Sequence, residues 1–433
     1  MFPETTSLTF TVFVALAASQ DLQAAIHTTS WNSTFKLSHE QLSLGNLTID
    51  EGAQINNIIN FDRTLLANGG PHQDDFYTLP PGLKIPKVPV KGVSDGKAPT
   101  VLWTHGTSGW YPAAAPSTHR SLFYQDFVPY ALALAGYAVV APDYAGLGVG
   151  TSWDGTAIPH QYGIYQAGGA DALNALRAAF TAFPERLTTD YVNVGHSQGG
   201  AVGWGVSELL GQKKGKFKDL VKGHLGTLLF APPTDAFSLP AASITTWVGK
   251  YLNQVYPEFK LSDWLTPLGI DRVTLFNQVE GSQSVSGFLF TPEKDIVQPG
   301  WMDTWFVAAL KQIVNPGKRP WKGPMLVIHG DKDPAVHYNA SLATSKATCE
   351  KYPGDLAFLG VPGVGHFPGM YATRSIWMDR IKDRFEKRKV QKQGCFQSKV
   401  DRFLPDDHYQ HDPNSFPLWT GKSEWAYELP QGH

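Results

Sequence analysis

The sequence predicts an α/β fold: a mostly parallel sheet flanked by helices, with a helical cap inserted late in the chain. Three observations carry that reading. From about residue 100 onward, short apolar runs alternate with segments of helical periodicity, the rhythm of βαβ units joined by right-handed crossovers. One run, Tyr191 to Val194, leads into Gly195-His196-Ser197-Gln198-Gly199-Gly200 and then into Val202, Val206, Leu209 and Leu210 at helical spacing, with Gly211 as the stop. Finally, residues 236 to 320 break the rhythm and carry a dense set of aromatics, among them Trp247, Tyr251, Trp264, Phe276, Phe290, Trp301 and Phe306. An insertion of this kind reads as a cap over a site, and most of its aromatics are expected to form the cap's own core.

Taken in order, residues 1 to 25 begin with an apolar run, Leu8 to Ala18, too short to cross a bilayer and followed by small residues; this predicts a secretory signal, although the first seven residues carry Glu4 and no Lys or Arg. Three sequons agree with secretion, at Asn32, Asn46 and Asn339. Residues 26 to 235 are expected to form the N-terminal part of the α/β body, with short elements near 42 to 50 and 55 to 66 and a Pro-, Lys- and Gly-rich loop from 79 to 98. Strands are expected at Thr100 to Trp103, Tyr137 to Ala141, Tyr191 to Val194 and Leu225 to Ala231, with helices over Phe123 to Ala135 and Tyr165 to Phe180. After the cap (236 to 320) the body resumes at 321 to 395, with strands at Met325 to His329 and Ala357 to Val361 and a helix over Tyr371 to Phe385. Residues 396 to 433 form a polar tail. The two cysteines, Cys349 and Cys395, are an even count, which in a secreted chain favours a disulfide; two buried free thiols are the alternative.

Composition narrows the function. With 36 basic and 38 acidic residues the formal net charge is -2, and no basic stripe is present, so nucleic acid is not an expected partner. The 13 Trp, 16 Tyr and 24 Phe suggest an apolar pocket as well as a core. His408 and His411 in the tail form no defined ligand set, and Gly146 to Gly150 lacks the helix and acidic partner of a dinucleotide site; neither metal nor cofactor is expected.

The chemistry centres on Ser197. A strand that turns sharply into a helix at G-x-S-x-G exposes the serine hydroxyl, and the flanking glycines make room for the turn. A hydroxyl is a weak nucleophile near neutral pH, so it needs a histidine base and a carboxylate that holds the imidazole in the right tautomer. The loop after Met325 to His329 offers two carboxylates, Asp331 and Asp333; Asp333, locked by Pro334, is the choice, and Asp331 is the runner-up with loop capping as its ordinary role. In the loop after the last expected strand, Gly363-Val364-Gly365-His366 supplies the base, His366. His337 is expected on the next helix, and His196 is too close in sequence to reach back to Ser197. Two N–H donors are needed for the oxyanion of the tetrahedral intermediate. The backbone N–H of Gln198, at the helix N-terminus, is one; that of Thr107, in His105-Gly106-Thr107, is the other.

With these residues assembled, the chain resembles the secretory lipase family of α/β-hydrolases, the fungal and actinobacterial group of lipase A type. The likeness runs from about Asp74 to Cys395 and rests on Asp74-Asp75-Phe76-Tyr77, Trp103 to Gly109, Pro142-Asp143-Tyr144-Ala145-Gly146-Leu147-Gly148, the Ser197 elbow and Gly365-His366. It implies an α/β-hydrolase fold, a Ser197-Asp333-His366 triad, a helical lid and a C-terminal disulfide. Two features depart from the family. The oxyanion loop reads His-Gly-Thr, as in the bacterial branch, where lipase A-type members carry an acidic residue. Only 28 residues separate Phe76 from His105, too few for the β-hairpin that members place there.

The expectation is therefore a secreted serine esterase or lipase acting on small-molecule or lipid esters, and a lipid interface suits it. A secondary-metabolite esterase or intracellular tailoring enzyme is a close relative of that reading. A serine aminopeptidase would share the triad but need an acidic site for the substrate amine. A non-catalytic binding protein on this scaffold would not need all three groups.

Overall fold

The computed structural model describes residues 34–64 and 96–400, apart from 120, 125–126, 240–251, 253–255 and 391. The expected signal segment, Asn32, the Asp74 to Tyr77 motif, Trp247, Tyr251, His408 and His411 lie outside the described residues.

Seven strands form one sheet: β1 (Ala98–Thr104), β2 (Ala138–Val140), β3 (Leu187–His196), β4 (His224–Phe230), β5 (Met325–Gly330), β6 (Leu356–Val361) and β7 (Cys395–Lys399). Their order is β2-β1-β3-β4-β5-β6-β7, and every pairing is parallel. The helices are α1 (His39–Leu44), α2 (Ile49–Thr64), α3 (Phe127–Leu134), α4 (Tyr165–Ala182), α5 (Gln198–Gly211), α6 (Pro267–Val279), α7 (Gln283–Leu289), α8 (Trp305–Val314), α9 (Tyr338–Lys351) and α10 (Arg374–Phe385), with a few single turns between them.

Period-two alternation sorts the strands' side chains between the two faces of the sheet. Val101, Trp103, Val192, Val194, Leu228 and Phe230 pack with Val128 and Leu132 of α3 and Trp377, Ile381 and Phe385 of α10. On the other face, Leu102 and Tyr191 meet Leu173 and Leu176 of α4 and Val206 and Leu210 of α5, while Leu229, Met325 and Val327 meet Trp204. The chain runs outward from β1 to β2 and returns to β3 on the other side of β1. This reversal opens a crevice at the carboxyl ends of β1 and β3, where α/β proteins bind ligands. His105 to Thr107 follow one of those strands and Ser197 the other.

Several elements differ from the sequence reading, among them a break at Thr373 before α10 and a gap at 45–48 between α1 and α2. The helix expected over Phe123 to Ala135 is not continuous: Leu122 and Phe123 adopt left-handed φ values of 48° and 53°, and the regular helix begins at Phe127. The tail's first residues form β7, an edge strand that pairs with β6 although its five residues alternate between exposed and only half-covered. A disulfide joins Cys395 at its start to Cys349 of α9.

The insertion between β4 and β5 holds α6, α7 and α8, and its buried side chains join a core that also takes in Trp110, Tyr111 and Tyr162 of the body. Phe259, Trp264, Phe276, Phe290, Trp301 and Phe306 are all buried in one cluster, with Trp264 stacked on Trp301 at 4.5 Å. Each such side chain contributes about 1.5 to 3 kcal/mol relative to exposure. Leu37, Ile55, Ile58 and Ile59 from the N-terminal segment belong to the same cluster, and Arg272 of α6 donates from Nε to the Gly45 carbonyl at 3.0 Å. Leu37, Ile55, Ile58 and Ile59 thus share a core with the insertion as well as with the body.

Candidate active site

Ser197 sits between β3 and α5 with φ 55° and ψ -125°, a conformation that costs a residue bearing a Cβ about 1 to 3 kcal/mol. Close packing beneath the turn enforces it. A Cβ on Gly199 would lie 1.9 Å from the Thr104 carbonyl oxygen, and one on Gly195 would lie 2.2 Å from that of Gly199, so only glycine fits on either side. The Ser197 N–H donates to the Phe230 carbonyl at 2.9 Å, fixing the elbow to β4. The serine is half-buried, whereas its neighbours His196 and Gln198 are fully buried.

Asp333 and His366 come together from the loops after β5 and β6. His366 donates from Nδ1 to Asp333 Oδ2 at 2.7 Å, with both side chains buried. Asp333 Oδ1 accepts the N–H groups of Ala335 and Val336 at 2.8 and 2.9 Å, and Oδ2 also receives Nε2 of His329 at 3.1 Å. Burial alone would raise this carboxyl's pKa, but the attraction of His366 and the hydrogen bonds from His329 and His366 hold it well below the usual carboxylate range. Asp331 plays a different part, since its Oδ1 accepts the Gly363 N–H at 2.8 Å and so pins the loop that carries His366. His337 is exposed at the start of α9. His196 packs its ring 4.6 Å from that of His366 and donates from Nε2 to the His366 carbonyl at 3.3 Å. Burial, with the nearby His366, keeps His196 neutral. His366 is therefore held next to the residue that precedes Ser197.

On the expected Ser197-Asp333-His366 triad, Asp333→Asn should lower kcat for hydrolysis by about 10³-fold or more, because an amide no longer fixes the imidazole tautomer. Asp331→Asn is expected to stay within about threefold of the parent. Equal losses in steady-state assays of the two variants would overturn the assignment.

Gln198 opens α5, so its backbone N–H has no helical partner. Thr107 is buried in the loop after β1, its Oγ1 3.0 Å from the Tyr162 hydroxyl. His105 donates from Nδ1 to the Gly106 carbonyl at 2.7 Å, and burial lowers its pKa to about 4. Three residues near the site escaped the sequence reading: His329, His160 and Tyr162. His329 stands directly before Gly330 and Asp331, and its place on a strand running into the acid loop was the available signal. Nothing in the sequence distinguishes His160 and Tyr162 from other loop residues.

Among the described residues no group of three or more His, Cys, Asp or Glu is placed to hold a metal ion, and no helix is long and apolar enough to cross a membrane. Asn46 and Asn339 are not buried.

Residues 101–374 match the family model of the alpha/beta hydrolase family. The chain belongs to the α/β-hydrolase family. This α/β-hydrolase is similar in fold to two solved structures of lipase A from Candida antarctica. The closed state is 16% identical, covers 70% of this chain and 74% of that one, and gives a TM-score of 0.54; a second structure is 17% identical, covers 70% and 73%, and gives 0.50. A rice cell wall degrading esterase from Xanthomonas oryzae is 17% identical and covers 68% of the hydrolase and 83% of its own chain, with a TM-score of 0.49. No curated protein matches the hydrolase in sequence.

Proposed function

We propose that this α/β-hydrolase is a secreted serine hydrolase of carboxylic esters. The observation that carries the reading is the 2.7 Å Asp333–His366 hydrogen bond, formed between two loops beside the strained Ser197 elbow. As Ser197 Oγ bonds to the ester carbonyl carbon, its proton passes to Nε2 of His366, and Asp333 stabilises the imidazolium through Nδ1–H. The carbonyl electron pair moves to oxygen, which the N–H groups of Gln198 and Thr107 receive. Collapse expels the alcohol, which takes the proton from His366. Water, deprotonated by the same histidine, then attacks the acyl-enzyme and releases the acid, restoring Ser197.

An apolar core stands behind the oxyanion loop: buried Trp110 lies edge-on to Tyr162 at 5.4 Å and to Phe276 of the insertion at 5.7 Å. The abundance of aromatic residues, 13 Trp, 16 Tyr and 24 Phe, supports apolar acyl or alcohol groups as the substrate class. The disulfide supports an oxidising compartment.

The test is an activity profile. Hydrolysis of p-nitrophenyl esters is expected to rise from acetyl to medium-length acyl groups, with aminoacyl p-nitroanilides at least about 100-fold slower in kcat/KM. Faster cleavage of the anilides would replace the esterase reading with a peptidase. Comparison of triglyceride emulsions with soluble acetylated metabolites then separates a lipase from a small-molecule esterase.

A further inference from the structure

The two oxyanion donors come from parts of the chain 91 residues apart, the HG loop and the start of α5. A hole works only if both N–H groups keep their spacing while charge develops on the substrate oxygen. One short loop touches both residues. His160 Nε2 lies 3.2 Å from the side-chain Nε2 of Gln198, and two residues later the Tyr162 hydroxyl lies 3.0 Å from Thr107 Oγ1.

The hydrogen-bond directions are consistent. His160 Nδ1 lies 3.2 Å from the Ala145 carbonyl, which can only accept, so Nδ1 carries the proton. Nε2 then presents a lone pair, and the Gln198 amide donates to it. His160 is buried, its ring parallel to Tyr144 within 5° at 5.8 Å and edge-on to Tyr162 at 6.1 Å. Tyr144 in turn stacks on His105 at 4.2 Å and donates its hydroxyl to the His105 carbonyl at 2.8 Å. His105 Nδ1–H holds the Gly106 carbonyl, which shares a peptide plane with the Thr107 N–H. Rotation of that plane would swing the donor out of the hole, so the bond to the carbonyl fixes where the N–H points.

We propose that the loop His160 to Tyr162 is a positioning clamp for the oxyanion hole, holding Gln198 through His160 and Thr107 through Tyr162. Neither residue touches the reacting atoms. The proposal rests on the serine esterase reading above, in which Gln198 and Thr107 supply the donors.

The experiment uses the full chain and the variants Tyr162→Phe, which removes one hydroxyl, and His160→Phe, which keeps an aromatic ring against Tyr144 but removes both nitrogens. Active sites are counted by fluorophosphonate labelling of Ser197, so that losses of folded enzyme are removed from the rate. Each variant is expected to lose about tenfold in kcat on p-nitrophenyl butyrate with KM within about twofold. The affinity for an aryl boronic acid, whose tetrahedral adduct places an oxygen in the hole, should fall in parallel with kcat. The double variant should lose less than the product of the single losses, because both act on one unit. Unchanged kcat per labelled site, or a fall in kcat without loss of boronate affinity, would overturn the clamp while leaving the esterase reading intact. A parent enzyme whose Ser197 is not labelled and which hydrolyses no ester would overturn both.

Discussion

Ser197→Ala is expected to lower kcat/KM for p-nitrophenyl esters by on the order of 10⁴ to 10⁶-fold while the protein folds as before. The chemical loss is that of the nucleophile: the neighbouring Thr104 hydroxyl is committed to the Val194 and Gly199 carbonyls beneath the turn. The fold is spared for structural reasons. The serine side chain does not cap α5, and its backbone N–H still reaches the Phe230 carbonyl in the variant. Alanine keeps the Cβ and with it the strain at φ 55°. Ser197→Gly removes that strain as well as the nucleophile, so it should be inactive and yet more stable than the alanine variant by about 1 kcal/mol or more. Urea titration together with the esterase assay checks both statements. Activity near the parent level in Ser197→Ala would sink the assignment of the nucleophile, and a glycine variant less stable than the alanine one would sink the account of the elbow.

The second large effect concerns acid. Burial holds His105 and His119 down to about 4 and His224 to about 3, and it keeps His196 well below its ordinary value. In the unfolded chain these groups titrate near a pH of about 6.5. Below that pH the unfolded state binds protons that the native state refuses, so stability is full above about pH 6.5 and falls as the pH drops toward about 4. Each histidine contributes about 1.4 kcal/mol per pH unit in that window. Asp143 acts in the opposite direction: burial raises it to about 6 despite hydrogen bonds from Ser117, so the native state takes up a proton there. Burial also raises Asp171 and Glu208 and adds to this offset. The net expectation is a loss of about 2 to 4 kcal/mol between pH 6 and pH 5, a large share of the stability of an ordinary domain. Asp333, depressed in the native state, adds further loss as the pH falls into the usual carboxylate range, about pH 4, and below it. Urea midpoints at pH 7, 6, 5 and 4.5 measure the slope. A flat profile would overturn the expected balance between the buried histidines and the raised carboxyls.

Much of the sheet was legible because its strands are apolar on both faces and bounded by turn residues. The runs at 100, 137, 191, 225, 325 and 357 all became strands within a few residues of their expected ends. Strand β7 was not legible: Cys395-Phe396-Gln397-Ser398-Lys399 covers only one side of a sheet edge, and its pairing comes from the neighbouring backbone rather than from a pattern of its own. At the site, the elbow and the spacing of loops after strands pointed to Ser197, Asp333 and His366. The structure joins the last two directly and gives Asp331 the role of pinning a loop. His160 and Tyr162 could not be found in this way, since their importance lies in which distant residues they touch.

The cap's mixed origin has a consequence for how the chain is made. Arg272 binds the Gly45 carbonyl across 227 residues of sequence, and Ile55, Ile58 and Ile59 share a core with Trp264 and Phe306. At about 5 to 20 residues per second, a ribosome needs roughly 10 to 45 s to supply the second half of that core after the first has emerged. Through that interval the N-terminal helices lack the surface that covers them in the finished protein, while the parallel sheet between the two cap segments is being assembled from non-local pairings of its own. Nascent chains are therefore most exposed to self-association before α8 is synthesised, and truncations that stop short of it should be the ones that chaperones retain.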